Sequence, residues 1–125
     1  LPKFELETIK AVNTQADEID PRFSTWFDAL DYMTEEVSKR DFDIALVGCG
    51  AYGFPLSARI KQMGKSAIHM GGAVQTLFGI KSGRGLGNSY INDLYNEYWV
   101  WPDENDRPKG SEKVENGCYW APIEK

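Results

Sequence analysis

The chain has two cysteines, one histidine and no long apolar run. Each scarcity removes a class of protein. Cys49 and Cys118 do not make the dense disulfide framework of a small secreted scaffold, so a reducing, cytoplasmic setting is the expectation. A single histidine and two scattered cysteines offer no zinc spacing. No apolar stretch approaches the roughly 20 residues that cross a bilayer, and no signal-peptide pattern opens the chain. Basic charge is short as well. The 14 Lys plus Arg against 19 Asp plus Glu leave a net charge of −5, which argues against nucleic acid and anionic membranes as partners. No internal repeat or low-complexity tract is visible. A chain of 125 residues is long enough for one core, and 42% hydrophobic residues is ordinary for such a domain. It begins at Leu1 rather than Met, as a processed product or an excised domain does.

What is present centres on Asp43-Ile44-Ala45-Leu46-Val47-Gly48-Cys49-Gly50-Ala51-Tyr52-Gly53. A continuous apolar run reads as a buried parallel strand covered on both faces. It ends directly in Gly-x-Gly-x-x-Gly, a loop that lets a phosphate approach backbone N–H groups at a helix N-terminus. In that pattern Gly48 gives the tight turn, Gly50 the close approach of a ligand, and Gly53 the close packing of helix on strand. The next helix is expected over about 54–63, with Pro55 in its first turn and Gly64 as its stop. Residues 66–70 read as a second strand of this unit. Gly71-Gly72 repeats the strand-to-glycine step before a short helix over 73–78. Residues 43–79 are therefore a βαβα unit with an expected right-handed crossover.

On the amino-terminal side, residues 4–12 read as a strand. Asp20-Pro21 signals a turn, and Ser24 is the expected cap of a helix reaching about Arg40. Trp26, Leu30, Met33 and Val37 share one face of it, and Glu35 with Lys39 and Glu36 with Arg40 lie at supportive spacing on the other. On the carboxyl side, residues 81–87 form a basic, glycine-rich loop, and residues 95–101 read as an edge strand. Seven of the ten Tyr and Trp residues lie from Tyr90 onward, so this tail packs or stacks on something.

The candidate ligand-binding residues are Gly48, Gly50, Tyr52 and Gly53 in the first loop, and His69, Gly71, Gly72 and Gln75 around the second. Lys81 and Arg84 supply charge that a diphosphate needs. His69 sits at the carboxyl end of its strand, where open α/β sheets place ligands, and can act there as phosphate contact or general base. Cys49 lies beside a helix N-terminus, which lowers a thiol pKa, yet it also suits a tight turn and has no acid–base partner adjacent in sequence. Glu97 and Glu115, set among aromatic residues, are the remaining carboxylate candidates for catalysis with His69. Asp41-Phe42-Asp43 falls at the wrong end of its strand for a metal site, and Asp103 to Asp106 reads as a solvated acidic turn. A dehydrogenase-type loop also calls for an acidic residue about 20 positions on, to grip a ribose. The residues there are Ala67-Ile68-His69-Met70-Gly71, without Asp or Glu, which speaks against NAD.

Residues 41–53, Gly64-Lys65, Ala67 to Gln75 and Leu77-Phe78-Gly79-Ile80-Lys81 together resemble the GT-D-like domain of bacterial proteins linked to surface-polysaccharide glycosyltransferases. Trp26-Phe27-Asp28-Ala29-Leu30, Asn96-Glu97-Tyr98-Trp99 and Tyr119-Trp120 are similar too. The resemblance implies an α/β, Rossmann-like fold: a small, mostly parallel sheet flanked by helices, with an irregular aromatic-rich tail. It divides one domain into a strand plus docking helix over 1–40, a glycine-loop core over 41–84 and a tail over 85–125. It implies a nucleotide-sugar donor, with a divalent metal as a further cofactor. The sequence departs from the family in lacking its amino-terminal Asp-x-Glu-type metal motif and in following Arg84 with Gly85 rather than Trp. The first departure makes this chain the expected carboxyl-terminal part of a longer protein, with the preceding portion as its partner. Two other classes fit the glycine loop: a non-catalytic nucleotide-binding or protein-interaction module, and a dinucleotide-dependent oxidoreductase fragment.

Overall fold

A computed structural model describes residues 3–122. Helix α1 spans Trp26–Ser38 and begins at a capping box. The Thr25 hydroxyl accepts from the Asp28 N–H at 3.2 Å, and the Asp28 carboxylate accepts from the Thr25 N–H at 2.8 Å. Thr25 therefore takes the cap expected at Ser24. The physical reason is reciprocity: three residues after Thr25 stands an acid, whereas three after Ser24 stands Phe27. Ala29, Leu30, Met33 and Val37 form the buried stripe, and Trp26 lies at its edge, 37% exposed. Lys39 pairs with Glu35 at 2.9 Å and with Glu36 at 2.8 Å. Arg40 turns away from Glu36 and pairs with Glu7.

Strand β1 is Ile44–Val47 and strand β2 is Ser66–His69. They pair in parallel, from Ile44 opposite Ser66 to Val47 opposite His69. Between them run a 3-10 turn over Gly50–Tyr52 and helix α2 over Gly53–Gln62. Gly64 ends α2 with φ +81°, a left-handed position that costs glycine no Cβ clash. The Gly64 N–H donates to the Lys61 carbonyl at 3.0 Å and the Lys65 N–H to the Ile60 carbonyl at 3.3 Å, closing a Schellman motif.

The core lies between α1, α2 and one face of this sheet, where Leu30, Met33, Val37, Val47, Leu56 and Ile60 pack together. Side chains alternate across a strand. Ala45 and Ala67 face that core, while Ile44 and Ile68 point the other way and stay 49% and 48% exposed. The expectation that β1 is covered on both faces is thus corrected. Its outer face is only partly covered: Leu46 is half-buried and Ile44 is exposed.

Residues 4–12 form no strand. No neighbouring strand offers them a ladder, and side chains fix the segment instead. The Val12 N–H donates to Met33 Sδ at 3.4 Å, and Phe4 meets Phe78 edge-on. Helix α3 covers Ala73–Leu77 and stops at Gly79, φ +71°. The expected basic loop is half helical: α4 spans Gly83–Leu86 under a Ser82 cap, and α5 spans Ser89–Asn92 under an Asn88 cap. The edge strand expected over 95–101 shrinks to a single bridge between Ile80 and Val100. Asn96 explains this, because its side chain accepts from the Tyr98 N–H at 3.0 Å and curls the chain before it can extend. The fold is therefore α/β, with a two-stranded parallel sheet and five α-helices among the described residues. None of those helices is long and apolar enough to cross a membrane.

Candidate functional site

The two glycine loops meet at the carboxyl ends of β1 and β2. A β-carbon at Gly48 would stand 2.7 Å from the Gly71 carbonyl oxygen and 2.9 Å from Val74 Cγ2. One at Gly53 would overlap the His69 imidazole, and one at Gly72 would stand 2.7 Å from the Tyr119 ring. These three glycines make room for the protein itself. Gly50 and Gly71 differ. Both are left-handed, with φ of +53° and +55°, and both face open space where a side chain would be. Of the glycines in the two loops, these two leave open space where a side chain would be, one on each loop.

His69 links the loops. Its imidazole lies over Gly53 at the start of α2 and meets the Phe54 ring edge-on at 6.4 Å. Tyr52 is directed inward. Its ring stacks on Trp26 at 4.8 Å, and its hydroxyl shares a hydrogen bond with that of Thr14 at 3.1 Å. A cleft of about 210 Å³ opens there, lined by Thr14, Glu18, Trp26 and Tyr52 among others. Burial pushes the Cys49 thiol pKa up, the opposite direction from that expected beside a helix terminus. Gln75 donates to the Tyr119 carbonyl at 3.3 Å, and its Oε1 is buried with no partner among the described residues.

The basic residues sit on the carboxyl side of the second loop. The Lys81 N–H donates to the Val100 carbonyl at 2.7 Å, and its ammonium lies 5.8 Å from the centre of the Tyr95 ring. Arg84 forms an ion pair with Glu115, donates to Cys118 Sγ at 3.2 Å, and lies over the Tyr119 ring at 4.7 Å. The Glu115 carboxyl is held below the ordinary glutamate value, first by the hydrogen bond from the Cys118 thiol and then by the charge of Arg84. Glu97 is exposed and enters no ion pair among the described residues. Glu115 thus joins a cluster and Glu97 does not.

Tyr119 and Cys118 are the residues that sequence reasoning left without a role. Asn116-Gly117 was the available signal, because that pair marks a sharp turn able to bring the following residues back over a neighbouring loop. Among the described residues no group of three or more His, Cys, Asp or Glu side chains is placed to hold a metal ion. Asp41 lies next to Lys65 at the amino ends of the strands, away from the glycine loops. Comparison with protein-family models, with curated proteins and with solved structures gives no match in any of the three.

Proposed function

We propose that this chain is a GT-D-like, Rossmann-like domain that binds the diphosphate of a nucleotide-sugar donor across its two glycine loops. One observation carries the reading. Gly50 and Gly71, on adjacent loops at the carboxyl ends of parallel strands, are both left-handed and both open where a Cβ would be. Ligands of open α/β sheets lie at that edge, and backbone N–H groups there satisfy phosphate oxygens. Gly48 and Gly53 let the two loops and His69 pack closely, and Gly72 makes room for the Tyr119 ring. Lys81 and Arg84 supply positive charge on the side of the second loop. A departing nucleotide diphosphate gains charge during sugar transfer, and donors fixed in place stabilise it. In this reading the chain supplies the donor site.

Calorimetric titration with a panel of nucleotide sugars tests the proposal. Binding that is lost in Gly50→Val, with an unchanged circular dichroism spectrum, is the expected result. No heat from any donor, in a chain shown to be folded, overturns it. NAD, NADP and FAD belong in the same panel, since preference for one of them would move the assignment to an oxidoreductase.

A second reading, a protein-interaction module, has its own observation. Ile44 and Ile68 leave the outer sheet face half exposed, and Tyr90 and Tyr98 are 84% and 81% exposed. Scattered apolar exposure is common, but a sheet face is a contiguous surface. Donor binding with no hydrolysis or transfer favours a non-catalytic nucleotide-binding module, and no donor binding by the folded chain favours the interaction module.

A further inference from the structure

The structure assigns residues 115–119 a role as an autoinhibitory strap beside the second glycine loop, with Glu115 standing in for a ligand phosphate on Arg84. The inference rests on the donor-site reading and adds a regulation to it. Six contacts converge. The Arg84 guanidinium is paired with the Glu115 carboxylate and donates to Cys118 Sγ at 3.2 Å. The Arg84 backbone N–H donates to the Cys118 carbonyl at 3.2 Å. The Tyr119 ring lies beneath that guanidinium and against Gly72, in the space a β-carbon there would need. Gln75 holds the Tyr119 carbonyl from the other side at 3.3 Å. The strap therefore lies against Gly72 and occupies the Arg84 cation, while Gly71 beside it stays open.

Carboxylate and phosphate compete for the same planar fork of N–H donors. The Arg84 and Glu115 side chains are 49% and 53% exposed, so solvent and ligand both reach the pair. An ion pair so exposed is weak, and a phosphate carrying more charge can displace its carboxylate. The backbone agrees with a segment held by its contacts. Glu115, Asn116 and Gly117 are left-handed in succession, with φ of +49°, +56° and +67°, and two of the three carry a β-carbon. Opening releases Glu115 from Arg84 and lifts Tyr119 from Gly72. The apparent affinity of the site is then its intrinsic affinity reduced by the fraction of molecules with the strap open.

Inorganic pyrophosphate is the probe, titrated by calorimetry into the wild type, Glu115→Gln and Tyr119→Leu, with circular dichroism as the folding control. Glu115→Gln keeps the size of the side chain and removes the competing charge. It should bind about threefold to fivefold tighter, the range a half-exposed ion pair can supply. Tyr119→Leu should move affinity in the same direction by removing the ring that holds the strap against the Arg84 guanidinium. Wild-type binding that is unchanged or weakened in both variants overturns the strap and leaves the donor site standing. Absence of binding in all three folded proteins overturns the donor site and the strap together. Binding by Glu115→Gln alone is the strongest support.

Discussion

Residues 26–70 bury Leu30, Met33, Val47, Leu56 and Ile60 in one cluster, whereas over residues 80–122 Trp120 is the buried hydrophobic side chain. The first region is built on apolar periodicity: a helical stripe, a strand, a second stripe. The second is built on position: a cap at Ser82, a cap at Asn88, a curl at Asn96, and Arg84 clasped by Glu115. Apolar burial is non-directional and tolerates exchange between similar residues. Polar contacts at turns depend on single atoms. The two regions should therefore respond differently to substitution, and three experiments can test that contrast beyond the two titrations already described.

The largest effect is expected from Ile60→Ala. Ile60 is fully buried among α1, α2 and the sheet. Truncation should cost about 2–5 kcal/mol, as buried aliphatic residues do. Urea unfolding would measure it, with both regions lost in one transition. A tail that stays protected from hydrogen exchange after the core has melted would break the comparison, because it would show that the carboxyl region folds alone.

How much of this was legible in the sequence follows the same division. The α1 stripe, the β1 run, the glycine stops at Gly64 and Gly79 and the parallel strand-loop-helix order are periodic or glycine-marked, so they read directly. Residues 4–12 alternate like a strand, but a strand exists only if a neighbour supplies a ladder, and that is a tertiary fact. Tyr52 in the glycine loop looked ligand-facing, and its burial depends on Trp26 and Thr14, residues far away in sequence. The expected roles of Lys81 and Arg84 followed from charge. That Glu115, thirty-one residues on, would engage Arg84 has no local signature.

A smaller effect is expected from Thr25→Ala. It removes half of the capping box of α1 and should lower stability by about 1 kcal/mol without touching the tail. Thermal melts of the variant beside Ser24→Ala sharpen the assignment of the cap, since the serine change should be near neutral.

The smallest is acid loosening of the strap. The Glu115 carboxyl is lowered on folding, first by the Cys118 thiol hydrogen bond and then by Arg84. A lowered carboxyl adds stability above its unfolded value, and that stability fades as pH falls through the folded value. Below the ordinary glutamate value of 4.5, hydrogen exchange over residues 111–120 should accelerate relative to α2, after correction for the intrinsic pH dependence of exchange. Equal acceleration in α2 would mean that strap and core open as one unit.

The register of the sheet carries a kinetic consequence. Ile44 lies opposite Ser66 and Val47 opposite His69, so every pair in the ladder is separated by 22 residues, 66 − 44 and 69 − 47 alike. Parallel strands cannot pair through a hairpin, and the intervening chain must first be shortened by a helix. Ten residues of that interval are α2, which reduces the loop to be closed and brings the strand ends together. Helix and ladder should then appear in the same folding step. The carboxyl ends of both strands, with Gly50 and Gly71 on either side, come into being together.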